Sequence, residues 1–301
     1  LNKLVNEMGN ERKLHDVLRR ASLFLEKHNR EPKVAELLLQ HFLGVSRSEF
    51  FMKMRDPVPE AVMIPFQQAI ERHAETGVPV EHITGYAPFY GRDFHVNAYT
   101  LIPRAETEEL IQHIMRTVPN KRVVIADIGT GTGIIAVTLA LACPEASVYA
   151  SDISEEALAV ARQNASYFGA SVGFLQGDYL KPMIERGIQA DIVVSNPPYI
   201  APEEGMALAD TVKNFDPDLA LFADEQGLGA YNRIIDKLPH VLKQNGTVFF
   251  EIGHDQGAAV KSMLQRTFPE SDVSIIQDMN GKDRIVGGKL SKFPCSENNS
   301  V

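Results

Sequence analysis

Asp127-Ile128-Gly129-Thr130-Gly131-Thr132-Gly133 is the stretch whose reading decides the fold. It follows the strand-like run Val123–Ala126 and precedes the apolar helix Ile134–Ala142. Glycines let the backbone turn tightly and approach a ligand closely, with the helix N-terminus behind them. The dinucleotide fingerprint is Gly-x-Gly-x-x-Gly, whereas the spacing here is Gly-x-Gly-x-Gly and an acid, Asp127, sits on the strand end itself. Alone, such a loop is a weak signal for a nucleotide-like ligand.

The surroundings strengthen it. Strands are expected at Val123–Ala126, Val148–Ala150, Val172–Leu175, Ile192–Ser195, Thr247–Ile252, Val273–Ile276 and Arg284–Val286, with helices between most of them, such as Glu155–Tyr167 behind the cap Ser154. Repeated βα units argue for a mostly parallel sheet of about seven strands, covered on both faces. Val148-Tyr-Ala-Ser-Asp152 ends the second strand in a carboxylate about 20 residues past the loop. There an acid can accept hydrogen bonds from both ribose hydroxyls of an adenosine. The plain alternative for Asp152 is a helix N-cap, which Ser154 fills more naturally. After the third strand, Gln176-Gly177-Asp178-Tyr179 offers a carboxylate and a ring to an adenine, against the alternative of a polar turn. With no P-loop lysine, these three elements describe S-adenosylmethionine (AdoMet) better than NAD or ATP.

The chemistry is concentrated in Asn196-Pro197-Pro198-Tyr199, after the buried run Asp191-Ile-Val-Val-Ser195. Ligands bind at that carboxyl edge in open α/β sheets. Two prolines donate no N–H and hold the backbone extended, so their carbonyls stay fixed and available. Rigid acceptors beside an amide and an aromatic face suit a planar group bearing an NH2, such as a side-chain amide or a nucleobase amine. The bland alternative is a proline-rich turn.

Residues 1–80 read as a helical bundle without strand pattern. Leu14, Val17, Leu18, Ala21, Phe24 and Leu25 follow helical spacing. Pro32 opens a second helix with Val34, Leu37, Leu38 and Phe42 on its apolar face, Ser46-Arg-Ser-Glu49 is a capping box, and Pro65 is expected to begin another helix. Residues 81–104 form a linking β-hairpin, with Phe89-Tyr90-Gly91-Arg92-Asp93-Phe94 around its turn. The sheet domain is expected over 105–290, and the polar tail 291–301 as disordered.

Composition narrows the classes. Among 301 residues, a hydrophobic fraction of 44% and a charged fraction of 23% are those of an ordinary globular protein with two domains. No run of eighteen apolar residues appears and the N-terminus lacks a signal-peptide core, while the sparse cysteines fit a reducing cytosol, so a cytoplasmic protein is expected. Leu1 in place of Met suggests that the chain is not the complete translation product. Two distant cysteines, Cys143 and Cys295, make no disulfide scaffold, and no histidine has metal-ligand spacing. Residues 1–80 carry 12 Lys/Arg against 11 Asp/Glu, and the remainder 18 against 28. That acidic balance argues against free nucleic acid as the main partner.

The chain resembles the peptide chain release factor N5-glutamine methyltransferase (PrmC/HemK) family. The resemblance is carried by Thr84-Gly85, Phe89-Tyr90-Gly91, Leu101-Ile-Pro-Arg-Ala-Glu-Thr-Glu108, the Gly129–Gly133 loop, Asp152, Asn196–Ile200, Asp216-Pro217, Ala220-Leu221, Gly227-Leu228, Glu251-Ile-Gly253 and Gln256, in order, from about residue 10 to 287. It departs at Ala105, where the family usually has proline, and at Phe215-Asp216-Pro217, which replaces Tyr-Glu-Pro. The resemblance implies an AdoMet-dependent Rossmann-like methyltransferase domain that methylates the glutamine of the Gly-Gly-Gln loop in class I release factors, with the bundle docking that protein. It further implies AdoMet contacts at Gly129, Thr130, Gly131, Thr132, Gly133, Asp152, Tyr179 and Asn196. The substrate amide would be held by Asn196, Pro197, Pro198 and Tyr199, with Asn196 and Pro197 catalytic. A monomer is expected.

Glu106 and Glu108 either shape the site or favour the start of their helix through its dipole. Arg104 reads as a structural ion-pair former, and Glu251 and His254 as packing residues at a strand end. The nearest alternative activity is amino-methylation of a nucleobase, which would need a flipped base and a phosphate-binding surface. A non-catalytic AdoMet-binding module would have no use for the tetrad, and a dehydrogenase is disfavoured by the glycine spacing.

Overall fold

The computed structural model describes residues 13–118, 122–208 and 210–291. Leu1, Cys295 and, apart from Ser291, the tail 291–301 lie outside the described residues. The chain divides into two compact units, 1–85 with 209–215, and 86–208 with 216–301.

The first unit contains helices Leu14–Lys27, Lys33–Leu43, Arg47–Met52, Glu60–Thr76 and Val80–Thr84. Their apolar stripes meet in one core that includes Leu14, Val17, Leu25, Leu38, Leu39, Phe50, Phe66 and Ile70. The capping box at Ser46 is formed on both sides. Ser46 Oγ accepts the Glu49 N–H at 3.3 Å, and the Glu49 carboxylate accepts the Ser46 N–H at 2.8 Å. Two expectations need correction. Pro65 lies inside the helix Glu60–Thr76, which starts after Pro59, so only one backbone bond is forgone. Leu37 is 41% exposed, and Leu39 takes the buried place on that face.

In the second unit, β1 (Tyr86–Phe89) and β2 (Arg92–His95) form an antiparallel hairpin. Tyr90 and Gly91 both have positive φ, as a two-residue hairpin turn matched to strand twist requires. Phe89 and Phe94 are buried with Leu110, Ile111 and Ile114, so the hairpin belongs to this unit's core and the division falls at Gly85/Tyr86.

The main sheet comprises β3 (Val124–Ile128), β4 (Ser147–Asp152), β5 (Val172–Gln176), β6 (Ala190–Ser195), β7 (Leu242–Glu251), β8 (Asp272–Gln277) and β9 (Asp283–Lys289). Its order is β5-β4-β3-β6-β7-β9-β8. β3 to β7 pair in parallel, while β9 pairs antiparallel with both β7 and β8. The reversal follows from chain length, because residues 278–282 are too few for the crossover a parallel pair needs. Helices cover both faces. Ile125, Val194 and Phe249 belong to one core with Leu110 and Leu139. Ala126, Val193, Val248 and Phe250 belong to another with Ile234, Leu238 and Leu264. Strands buried on both sides read as continuous apolar runs, and these do.

The strand order reverses between β3 and β6. In register, Ile128 faces Ser151 on one side and Ser195 on the other, so Gly129, Asp152 and Asn196 leave the sheet at one level. The Ser195 hydroxyl donates to the Ile128 carbonyl at 2.6 Å, tying the two strand ends together.

Candidate active site

A cleft of about 360 Å³ opens at this switch point, where α/β sheets bind ligands. Of the residues expected to form a site, Gly129, Thr130, Gly131, Thr132, Asp152, Tyr179, Asn196 and Pro198 line it. Gly133, Pro197 and Tyr199 adjoin those residues without lining the cleft.

The loop after β3 takes left-handed backbone at Gly129, Gly131 and Gly133, with φ of +71°, +53° and +81°. A Cβ on Gly133 would fall 2.9 Å from that of Ala161, so the third glycine lets the helix Ile134–Ala142 pack closely on the helix Glu155–Phe168. Asp127 ties the loop from below. Its Oδ2 accepts from Thr130 Oγ1 at 2.6 Å and from the Ala136 N–H at 3.2 Å, while its buried Oδ1 has no hydrogen-bond partner among the described residues. Burial pushes this carboxyl up to about 7, against those hydrogen bonds and with Asp152 adding repulsion.

Asp152 closes the other side. One oxygen accepts the Gly131 N–H at 2.8 Å, the other the Ser154 N–H at 3.0 Å. The helix cap is Ser154, whose Oγ accepts the Ala157 N–H at 3.0 Å. Asp152 is therefore spent on the loop and the cleft wall, and burial raises its carboxyl. Tyr179, at φ +47°, presents its half-buried side chain on the same wall, and burial raises its phenol. Asp178 pairs with Lys237 at 3.2 Å. A loop of close-approach glycines, a carboxylate one strand away, an aromatic ring, and an orphaned buried oxygen beneath the loop fit a nucleoside carrying a charged amino-acid arm, which is the make-up of AdoMet.

Asn196 follows β6 and is half-buried, while Pro197 is buried. Asn196 Nδ2 donates to Thr107 Oγ1 at 3.3 Å, and that hydroxyl donates to Glu251 Oε2 at 2.7 Å. Gln256 clamps the far end of the tetrad. Its Nε2 donates to the Tyr199 carbonyl at 2.8 Å, and its Oε1 accepts the Gly253 N–H at 3.1 Å. The Tyr199 ring packs against the core behind the sheet edge, where burial pushes its phenol up to about 12, reinforced by Glu251.

Arg104 forms an ion pair with Asp216 at 2.9 Å, and the Asp216 side chain is only 1% exposed. Both Glu106 and Glu108 lie in the first turn of the helix Glu106–Thr117, and Glu108 also accepts the Tyr90 N–H at 2.7 Å, joining helix and hairpin. Glu251 departs from the packing role expected of it. It is a buried, hydrogen-bonded carboxylate in contact with the network that reaches Asn196. Sequence reading saw Glu251 on the ligand edge and Thr107 within a motif, but their contact spans 144 residues and has no local signal. Leu101 and Pro103, from the same motif, also line the cleft, whereas Tyr99, Leu219 and Arg233 on its wall had no signal in the sequence.

Comparison with known proteins adds relatives to this geometry. Residues 16–85 match the PrmC N-terminal domain family and residues 105–214 the methyltransferase small domain family. The chain is 44% identical over 284 residues to the release factor glutamine methyltransferase of Bacillus subtilis (strain 168), spanning 93% of this chain and 98% of that one. It is 43% identical over 282 residues to the protein of the same name from Bacillus cereus, spanning 92% and 99%. Among solved structures, the catalytic domain of hMettl16 in complex with MAT2A 3′UTR hairpin 6 superposes with a TM-score of 0.52. It is 14% identical and covers 77% of this chain and 82% of that one, a likeness of fold.

Proposed function

The chain belongs to the release factor glutamine methyltransferase family, and on that premise we propose that it methylates N5 of the glutamine in the Gly-Gly-Gln loop of class I peptide chain release factors, with AdoMet as donor. The observation that carries this reading is Asn196-Pro197-Pro198 at the switch point, beside the glycine loop and Asp152.

AdoMet, when bound, supplies a methyl group made electrophilic by a positively charged sulfur. Gly129–Gly133, Asp152, Tyr179 and Asn196 would hold it. The protein's task is then the nucleophile. An amide nitrogen attacks poorly because its lone pair is delocalised into the carbonyl. Asn196 Oδ1 and the Pro197 carbonyl each accept one N–H of the glutamine NH2, which favours density on nitrogen as it becomes tetrahedral. Proline stiffness, the buried setting of Pro197 and the Gln256 clamp on Tyr199 fix these acceptors in advance, so little reorganisation accompanies the reaction. Leu101, Pro103, Ile134 and Ile135 give the cleft an apolar wall, which favours a step in which charge is lost. No ionised base is required before attack, since the amide proton becomes acidic once the nitrogen is alkylated. Tyr199, with its ring packed against the core and its carbonyl held by Gln256, anchors the tetrad behind these acceptors.

The helical unit is proposed to dock the release factor. Leu23, Leu37, Phe51, Met52 and Ile64 are large apolar side chains exposed on it, which suits a protein partner. The enzyme is proposed to act as a cytoplasmic monomer on protein and not on nucleic acid, consistent with a net charge of −9.

The test is transfer of labelled methyl from AdoMet to a class I release factor, to its Gly-Gly-Gln→Gly-Gly-Ala variant, and to duplex DNA. Label on the first alone is expected. Label on DNA, or equal label on both release-factor forms, would overturn the substrate. Asn196→Ala should lower the rate far more than it weakens AdoMet binding, and an equal loss in both would remove the role given to Asn196.

A further inference from the structure

We propose that Thr107 and Glu251 are positioning residues that decide which end of the Asn196 side-chain amide faces the substrate. The inference rests on the reading of Asn196 given above and deepens it. An asparagine amide has an accepting end and a donating end of nearly the same shape. Only the accepting end helps a glutamine NH2, because the donating end would set N–H against N–H. Nothing in the shape of the cleft separates the two.

The hydrogen-bond chain does separate them. A threonine hydroxyl has one proton, and Thr107 donates it to Glu251 Oε2 at 2.7 Å. The same oxygen can then only accept, so Asn196 must turn its Nδ2 toward Thr107, and it does so at 3.3 Å. Oδ1 is left for the cleft that Asn196 lines. The polarity of the chain is thus set at Glu251, as long as that carboxyl is ionised and can only accept.

If Glu251 takes up a proton, the constraint is lost. The acid can donate to Thr107, Thr107 can donate to Asn196 Oδ1, and the amide can rotate by half a turn to present its NH2. Glu251 is held where this matters. It is 2% exposed, and burial, opposed first by the Thr107 hydrogen bond and then by Arg284, pushes its carboxyl up to about 7. The groups that face it are Thr107 and Glu106 from the helix Glu106–Thr117, Arg284 from β9, Asn196 and Tyr199 from the tetrad, and Tyr231 from the helix Gly229–Val241. Tyr231 donates its hydroxyl to the Glu251 backbone carbonyl at 2.8 Å and does not bond the carboxylate.

The experiment is the single-turnover rate of methyl transfer to a class I release factor at saturating AdoMet, between pH 5.5 and 8.5, for wild type, Glu251→Gln, Thr107→Val, Thr107→Ser and Asn196→Ala. Melting temperature and AdoMet affinity are measured alongside. The wild-type rate is expected to fall on acidification below about 7, approaching tenfold per pH unit. Glu251→Gln should lose that limb. Thr107→Val should be slowed about tenfold or more with AdoMet affinity kept, while Thr107→Ser, which retains the hydroxyl, stays near wild type. Asp127 also titrates near 7, but it serves the cofactor loop, so its limb would move AdoMet affinity and would persist in Glu251→Gln. An acid limb in the saturated rate that persists in Glu251→Gln with AdoMet affinity unchanged across it, or a Thr107→Val enzyme as fast as wild type beside a slow Asn196→Ala, would overturn the proposal while leaving Asn196 its role. A fast Asn196→Ala enzyme would take down both.

Discussion

Replacing Gly227 with alanine tests how tightly the acceptors at Asn196-Pro197 are held. Gly227, at φ +81°, is the last of three consecutive left-handed residues, after Glu225 at +54° and Gln226 at +57°. A methyl group there would lie 2.9 Å from the Tyr199 carbonyl carbon and 2.7 Å from Gln256 Nε2, and closer still to the Tyr199 carbonyl oxygen. Non-bonded carbons rest at about 3.5–4.0 Å, so the turn and the tetrad must part by about 1 Å. Gln256 cannot yield without losing its 2.8 Å bond to that carbonyl, so the movement passes to the tetrad. A misplacement of about 1 Å at reacting groups costs about 100-fold in rate, or about 2.7 kcal/mol. The left-handed conformation adds about 1–2 kcal/mol against folding, a loss of about 2–8 °C in melting temperature for a unit of this size. Gly281→Ala is the control. It has φ +74° with nothing among the described residues within 4 Å of the added methyl, so it should lose stability without losing rate. The assay is single-turnover methyl transfer to a class I release factor at saturating AdoMet. Should Gly227→Ala turn over within about threefold of Gly281→Ala at similar melting temperature, the claim that acceptor placement limits the rate is wrong.

Two further substitutions probe the cofactor side. Asp127 has a folded-state carboxyl raised by burial to about 7 from an ordinary 3.8, so between those values the folded protein holds a proton that the unfolded chain has released. Stability should therefore fall as pH rises through that window, by on the order of 4 kcal/mol at its upper end. Asp127→Asn should accordingly unfold at higher urea than wild type at pH 8, with the gap closing toward pH 4; an unchanged gap would refute the assignment. Asp152→Ala removes a half-buried acceptor that holds the Gly131 N–H and faces the cleft. Calorimetry should find AdoMet binding weaker by about 10- to 100-fold, as loss of charge-assisted hydrogen bonds implies, and unaltered affinity would take Asp152 out of the site.

What could be read in the sequence was whatever is local in chain or in period. The helix Ile134–Ala142 has the bounds expected of it, because a glycine turn starts it and an apolar run defines it. The strands lie where continuous apolar runs placed them, each longer by one to a few residues, since ladder bonds extend into polar ends such as Gln176 and Lys289. Pro65 misled because proline marks a helix start only when no better one precedes it, and Pro59 does. Leu37 and Leu39 differ by two positions on a helix whose exposed side no pattern of eleven residues fixes.

The site divides along the same line. Backbone acceptors can be inferred from sequence because two prolines determine their own conformation, and the edge they occupy follows from the strand before them. The side chain of Asn196 is different, since its two ends are told apart only by what they meet. The deciding proton sits on Thr107 and is claimed by Glu251, residues that the switch-point topology brings to Asn196 from 89 positions upstream and from the end of a neighbouring strand. A motif can thus announce that an amide will be recognised, while the direction in which it is recognised is a property of the fold.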